Sequence, residues 1–309
     1  MRQTCLDQIH ALARRDPRVV FIGSDLSPGL LGQMKAELPE RYFMEGVSEQ
    51  NVIGVAAGLA LDGYLPYVNT IATFLTRRCY EQLAVDVCLQ RLPVRLIANG
   101  GGLVYAPLGP THLSTVDVAL LRALPGMAVV AASDADEMTR LMPLTLDWPG
   151  PMYVRLAKGG DPVVSRPERG FEIGKAILMR EAPAPVLLIA TGIMTGRALA
   201  AADLLGADGI GCRVLHVPTV KPLDEAAVLE LARAATLVVT VEEHSLVGGL
   251  GSAVLECLAD HGRSGVRVKR LGLPDAFAPH YGSQDDLLAT YGLLPAGIAG
   301  SVRAAMDHA

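Results

Sequence analysis

The chain has 309 residues, half of them hydrophobic, and a formal charge of −5. That size and apolar content suit two domains with substantial cores, and the lack of any Lys/Arg run argues against a general nucleic-acid surface. No signal-peptide pattern and no run of roughly 18 apolar residues occurs, so secretion and membrane insertion are not expected.

In chain order, residues 2 to 15 read as a helix, and Val19-Val-Phe-Ile-Gly as a short buried strand ending at Ser24-Asp25-Leu26. Glu49 then precedes an Ala/Gly-rich helical run, Val52 to Leu61. Leu65 to Phe74 is strand-like, Leu75 to Leu89 helix-like, and Val94 to Ala98 a buried strand. A loop, Asn99-Gly-Gly-Gly, leads to Leu108-Gly-Pro-Thr-His112. Strands at Ala128 to Ala131 and Met152 to Leu156 alternate with helices at Val116 to Leu124 and Asp134 to Leu146, with Ser133 as the expected N-cap of the latter. From Lys158 to Gly170 turn formers and charges replace periodicity, which reads as a linker. A second series follows, with strands at Val186 to Ala190, Cys212 to Val217 and Leu237 to Val241. Its helices fall near Arg197 to Leu205 and Asp224 to Ala234, and another opens after Glu242. The alternation predicts an α/β fold of two doubly wound domains, 1–165 and 172–309.

Cys5, Cys79, Cys88, Cys212 and Cys257 are scattered and form no C-x₂-C pair. A zinc site or disulfide framework is therefore not expected, and free thiols in a cytoplasmic protein are.

Several positions admit two readings from the residues alone. Glu49 can be a first-turn carboxylate favoured by the helix dipole, or a capping partner of Ser48. The helix it opens carries Gly54, Ala56, Ala57, Gly58 and Ala60, small enough to lie against another backbone. Phe74 can be a core aromatic, His112 a solvated loop histidine, and Asp25 an N-cap or turn residue. Arg77, Arg78, Arg155 and Lys158 can each form surface salt bridges, the reading favoured for Arg78 and Lys158. Gly248, Gly249 and Gly251 stand in a glycine-rich loop before a helix, a possible anion site. Their spacing fits no nucleotide motif, and close packing is the simpler explanation.

Three motifs in order bring a resemblance. Gly46-Val-Ser-Glu-Gln-Asn-Val-Ile-Gly-Val-Ala-Ala-Gly-Leu-Ala, Thr70-Ile-Ala-Thr-Phe-Leu-Thr-Arg-Arg-Cys-Tyr-Glu-Gln and Gly109-Pro-Thr-His112 resemble the pyrimidine-binding domain of the transketolase family. The second motif is similar to 1-deoxyxylulose-5-phosphate synthase. Thr219-Val-Lys-Pro-Leu-Asp and Val241-Glu-Glu-His-Ser-Leu-Val-Gly-Gly-Leu-Gly-Ser resemble the family's C-terminal domain, so the likeness runs from about Val19 to near the C-terminus.

The resemblance implies thiamine diphosphate as cofactor. Glu49 would bond N1′ of its aminopyrimidine, Phe74 would stack on that ring, and His112 would exchange protons with substrate hydroxyls. Asp25, in a Gly-Ser-Asp-Leu similar to a longer family motif, would approach the cofactor. Arg77 and Arg155 would meet a sugar phosphate. The family's Mg²⁺-diphosphate site uses a Gly-Asp-Gly motif and a following asparagine. No Gly-Asp-Gly occurs here, and the asparagines are Asn51, Asn69 and Asn99. The Mg²⁺ ligands are then expected on a separate N-terminal transketolase subunit, in an α₂β₂ assembly. The implied reaction moves a two-carbon ketol unit from a ketose phosphate. Alternatives are the β subunit of a 2-oxo acid dehydrogenase, an enzyme loading a carrier thiol, a deoxyxylulose-phosphate-synthase-like enzyme, or a non-catalytic binding protein.

Overall fold

A computed structural model describes residues 1–24, 29, 31–263 and 265–307. The first series of strands is β1 (Val19–Gly23), β2 (Tyr42–Met44), β3 (Leu65–Ile71), β4 (Arg95–Asn99), β5 (Ala128–Ala131) and β6 (Met152–Leu156). The second is β7 (Ile177–Arg180), β8 (Val186–Ala190), β9 (Cys212–His216), β10 (Thr219–Lys221), β11 (Leu237–Ser245) and β12 (Arg267–Leu273).

Every residue of β1, β4, β5, β6 and β8 is buried. Strands covered on both faces belong to parallel sheets wrapped by helices, and that is the architecture found. One sheet runs β10-β5-β6-β4-β3-β1-β2 and the other β12-β11-β8-β9-β7. All pairings are parallel except β10 on β5 and β7 on β9. β10 comes from the second half of the chain yet completes the first sheet, so the two halves are stitched through their sheets.

The parallel strands β1, β3, β4 and β6 send their carboxyl ends to one edge of the first sheet. Side chains cross-link that edge: Ser24 Oγ donates to Thr70 Oγ1 at 2.9 Å, and Asn99 Nδ2 to Asn69 Oδ1 at 3.1 Å. Loops leaving such an edge are the ordinary place for a site.

Three local expectations are corrected. β3 ends at Ile71, and Phe74 opens a π-helical turn, Phe74–Arg78, rather than closing a strand. Such wide turns concentrate at functional sites. Asp134, not Ser133, caps the helix Ala135–Leu144: its Oδ1 accepts from Glu137 N at 2.9 Å, while the Ser133 N–H is used by Glu137 Oε2. β11 continues through Glu242, Glu243 and His244, all buried, to Ser245.

The helix Glu49–Leu61 buries Val52, Ile53, Ala56, Ala57 and Ala60 against the first sheet. Its other face is open. Among the described residues nothing lies within 4 Å of a Cβ placed at Gly54 or Gly58, and Val55 between them is 36% exposed. The small residues thus give no close approach within this chain.

Candidate active site

Glu49 is the first residue of its helix and is only 3% exposed. Ser48 does not cap with it; the Ser48 hydroxyl donates to Glu45 O at 2.9 Å. The carboxylate instead accepts from Arg78 Nη1 at 2.7 Å on Oε2. Arg78 therefore forms an ion pair, as its sequence reading favours, but with a buried partner and not at the surface. The Arg78 Cζ also lies 4.3 Å from the centre of the Phe74 ring, a cation–π contact. His112 packs on Phe74 edge-to-face, with ring centres 5.2 Å apart and planes at 68°.

The loop that delivers His112 turns at Gly109, whose φ of +76° suits glycine. The loop is fastened by Thr111, whose hydroxyl pairs with His112 Nδ1 at 2.9 Å and whose carbonyl accepts from Arg77 Nη2 at 3.2 Å. Thr73, Phe74, Arg77, Arg78, Pro110, Thr111 and, from the second half of the chain, Phe277 line a groove of about 780 Å³. The structure thus gathers Glu49, Phe74, Arg77 and His112, residues 63 positions apart at the extremes: Phe74 and Arg77 line the groove, Glu49 stands behind Arg78, and His112 packs on Phe74. Arg78 joins them as a residue for which sequence reading expected no role in the site.

Arg155 is placed elsewhere. It is buried, and its Nε donates to Asp117 Oδ2 at 2.7 Å. Its Nη2 reaches Asp117 Oδ1, Ser114 O and Glu243 O at 3.2, 3.1 and 3.0 Å. Tyr153 also donates to Asp117 Oδ2, at 2.6 Å. Burial works against both charges, but their mutual attraction outweighs it: Asp117 is held below the usual carboxylate range and Arg155 above its ordinary value. A guanidinium so engaged ties the first sheet's loops to β11, its Nε and Nη2 donors being taken by Asp117, Ser114 O and Glu243 O. Asp25 lies outside the described residues.

The glycine-rich loop at residues 248–251 is already filled. Glu242 Oε2 and Oε1 accept from Leu250 N and Gly251 N at 2.7 and 2.8 Å. A Cβ on Gly249 would stand 2.0 Å from Glu242 Oε2, so these glycines serve close packing.

The family model for the transketolase pyrimidine-binding domain matches residues 1–160, and that for the transketolase C-terminal domain matches residues 174–298. The chain belongs to the transketolase family. A subunit named as a 6-deoxy-6-sulfo-D-fructose transketolase subunit, from Clostridium sp., is 38% identical over 294 residues, covering 95% of this chain and 90% of that one. The 1-deoxy-D-xylulose-5-phosphate synthase 1 of Geobacter sulfurreducens is 41% identical over 303 residues, 96% of this chain and 47% of that protein. The chain thus spans about half the length of that synthase. A solved split gene transketolase, described as an inactive β₄ tetramer, superposes with a TM-score of 0.90 at 35% identity, covering 99% of this chain and 98% of its own.

Transketolases and deoxyxylulose-phosphate synthases use thiamine diphosphate, and the groove fits the ring portion of that molecule. Its walls offer an aromatic ring, Arg78 with the buried Glu49 carboxylate behind it, and the Thr73 hydroxyl, buried with no hydrogen-bond partner among the described residues. Among the described residues that line the groove itself there are two arginines and no carboxylate, Glu49 standing behind Arg78, so these residues offer no oxygen set for Mg²⁺. Among the described residues the grouping of three metal-capable side chains is Glu225, Cys257 and His261, at two helices of the second half; its thiol does not suit Mg²⁺. Among those residues, too, no helix is long and apolar enough to cross a membrane.

Proposed function

We propose that this chain is the pyrimidine-binding half of a two-subunit, thiamine-diphosphate-dependent transketolase that moves a two-carbon ketol unit from a ketose phosphate to an acceptor. The observation that carries the reading is a groove lined by Phe74, Arg77 and Arg78, with Glu49 paired to Arg78 behind it and His112 packed on Phe74. When bound, the cofactor supplies the carbon nucleophile and electron sink that the side chains lack. Glu49 holds a proton at the pyrimidine edge, Phe74 orients the ring by stacking, and His112 carries protons to and from substrate hydroxyls. Arg77, at the mouth, is the cation for a substrate phosphate. Arg155 is withdrawn from that role because of its burial.

A separate N-terminal subunit would supply the diphosphate and Mg²⁺ ligands in an α₂β₂ assembly. Two observations support a partner: the open Gly54–Val55–Gly58 face, and near full-length likeness to a relative named as a subunit. A synthase-like reaction is the second reading, favoured by the identity with deoxyxylulose-phosphate synthases.

Calorimetry of thiamine diphosphate with Mg²⁺ against the chain alone and co-assembled with its upstream subunit tests the proposal. Tight binding only in the mixture is expected. Tight binding to the chain alone refutes the divided site, and no binding in either refutes the cofactor assignment. Turnover with ketose phosphates rather than pyruvate as donor then separates the two reactions.

A further inference from the structure

Arg78 stands where the proposed function seats the aminopyrimidine. One planar cation meets both the Glu49 carboxylate, at 2.7 Å, and the face of Phe74, at 4.3 Å. The coincidence has a chemical reason. A guanidinium is a flat N–C–N donor that pairs with carboxylates and stacks on aromatic faces, and the edge of an aminopyrimidine shares that shape and polarity.

Burial explains why the open site keeps such a group. Glu49 is 3% exposed, and a carboxylate at that depth without a partner is costly. The Arg78 side chain is 43% exposed, so it can leave without stranding its own charge. Its departure would free the Glu49 Oε2 it engages, and with it the Phe74 face it covers, for the pyrimidine. The groove on its outer side is open to receive it.

We propose that Arg78 is a resident stand-in for the cofactor ring: it neutralises Glu49 in the free chain and is displaced when the pyrimidine enters. The inference rests on the pyrimidine-site reading above. It makes Arg78 a residue that sets cofactor affinity, since the pairing present only in the free state is lost on binding and opposes it.

The test is calorimetric titration of thiamine diphosphate with Mg²⁺ into the co-assembled complex, comparing wild type with Arg78→Met and Arg78→Gln. Both variants are expected to bind about fivefold tighter, the reciprocal of removing a competing contact. Unchanged or weaker binding by a folded variant overturns the inference while leaving the pyrimidine site standing, because wild type still binds. Failure of wild type to bind overturns both. Should neither variant assemble, the structure of the wild-type complex with cofactor decides. Arg78 withdrawn from Glu49 supports displacement, and a guanidinium still bridging Glu49 and Phe74 overturns it.

Discussion

Replacing Arg155 by Met distinguishes a tether from a phosphate ligand. The substitution keeps much of the side chain's apolar volume and removes its donors to Asp117, Ser114 O and Glu243 O. Asp117, at 0% exposure, is left with the Tyr153 hydroxyl as its side-chain partner. Breaking a buried pair from one side costs about 3–5 kcal/mol. With side chains only 9% and 0% exposed, solvent gives little relief, so the full range applies. Asp117→Asn should cost a similar amount, and the double variant less than the sum by about 1–2 kcal/mol, because neither charge is then stranded. Denaturant unfolding of the four proteins measures this. In wild type the Asp117 contribution is present above about pH 4 and lost as acid protonates a carboxylate whose folded value is depressed. Additive losses, or an Arg155→Met protein of wild-type stability whose KM for a sugar phosphate rises tenfold, would refute the tether.

Other expectations follow from the same geometry. Glu49→Gln should lower turnover of the assembled enzyme by at least about 10²-fold with an unchanged circular dichroism spectrum; retained turnover removes Glu49 from the chemistry. Phe74→Ala should weaken cofactor binding by about tenfold, roughly the loss of one stacking contact, as read by calorimetry. Gly102→Ala should destabilise by about 1–3 kcal/mol, since φ is +66° and the new Cβ would lie 2.4 Å from Glu243 Cδ; an unchanged unfolding midpoint contradicts this. Burial pushes Glu242 up from 4.5 to about 7 against two helix N–H donors. An acid raised on folding binds more protons when folded, so its contribution is full below about pH 4.5 and fades as pH rises towards 7. Glu242→Gln should flatten that slope in unfolding measurements across the same range.

The fold was legible because parallel strands buried on both faces leave continuous apolar runs, and helices between them leave turn formers at their ends. β10 was not, because three residues that pair across the linker carry no periodicity of their own. The site divides in the same way. Gly46 to Ala60, Thr70 to Gln82 and Gly109 to His112 are local motifs, and local motifs survive in sequence. What sequence could not give was which arginine is free. Arg77, Arg78 and Arg155 carry one charge each; by sequence Arg77 and Arg155 go to a phosphate and Arg78 to a surface salt bridge, with nothing local to test the division.

Only the tertiary environment separates those arginines. Arg155 points inward from β6, a strand buried on both faces, where a guanidinium is stable only beside a carboxylate such as Asp117. A strand position buried on both sides was itself readable as a warning against a substrate contact. Arg78 sits one residue past Arg77 on a π turn that α-helical periodicity does not anticipate. That turn brings it over Phe74 and onto a buried carboxylate 29 residues earlier in the chain. A buried acid at a site needs a cation or a ligand, and this chain carries its own cation. The sequence signal that could have pointed to it is the doubled Arg77-Arg78 directly after an aromatic, where a single arginine would have sufficed for the mouth of the groove.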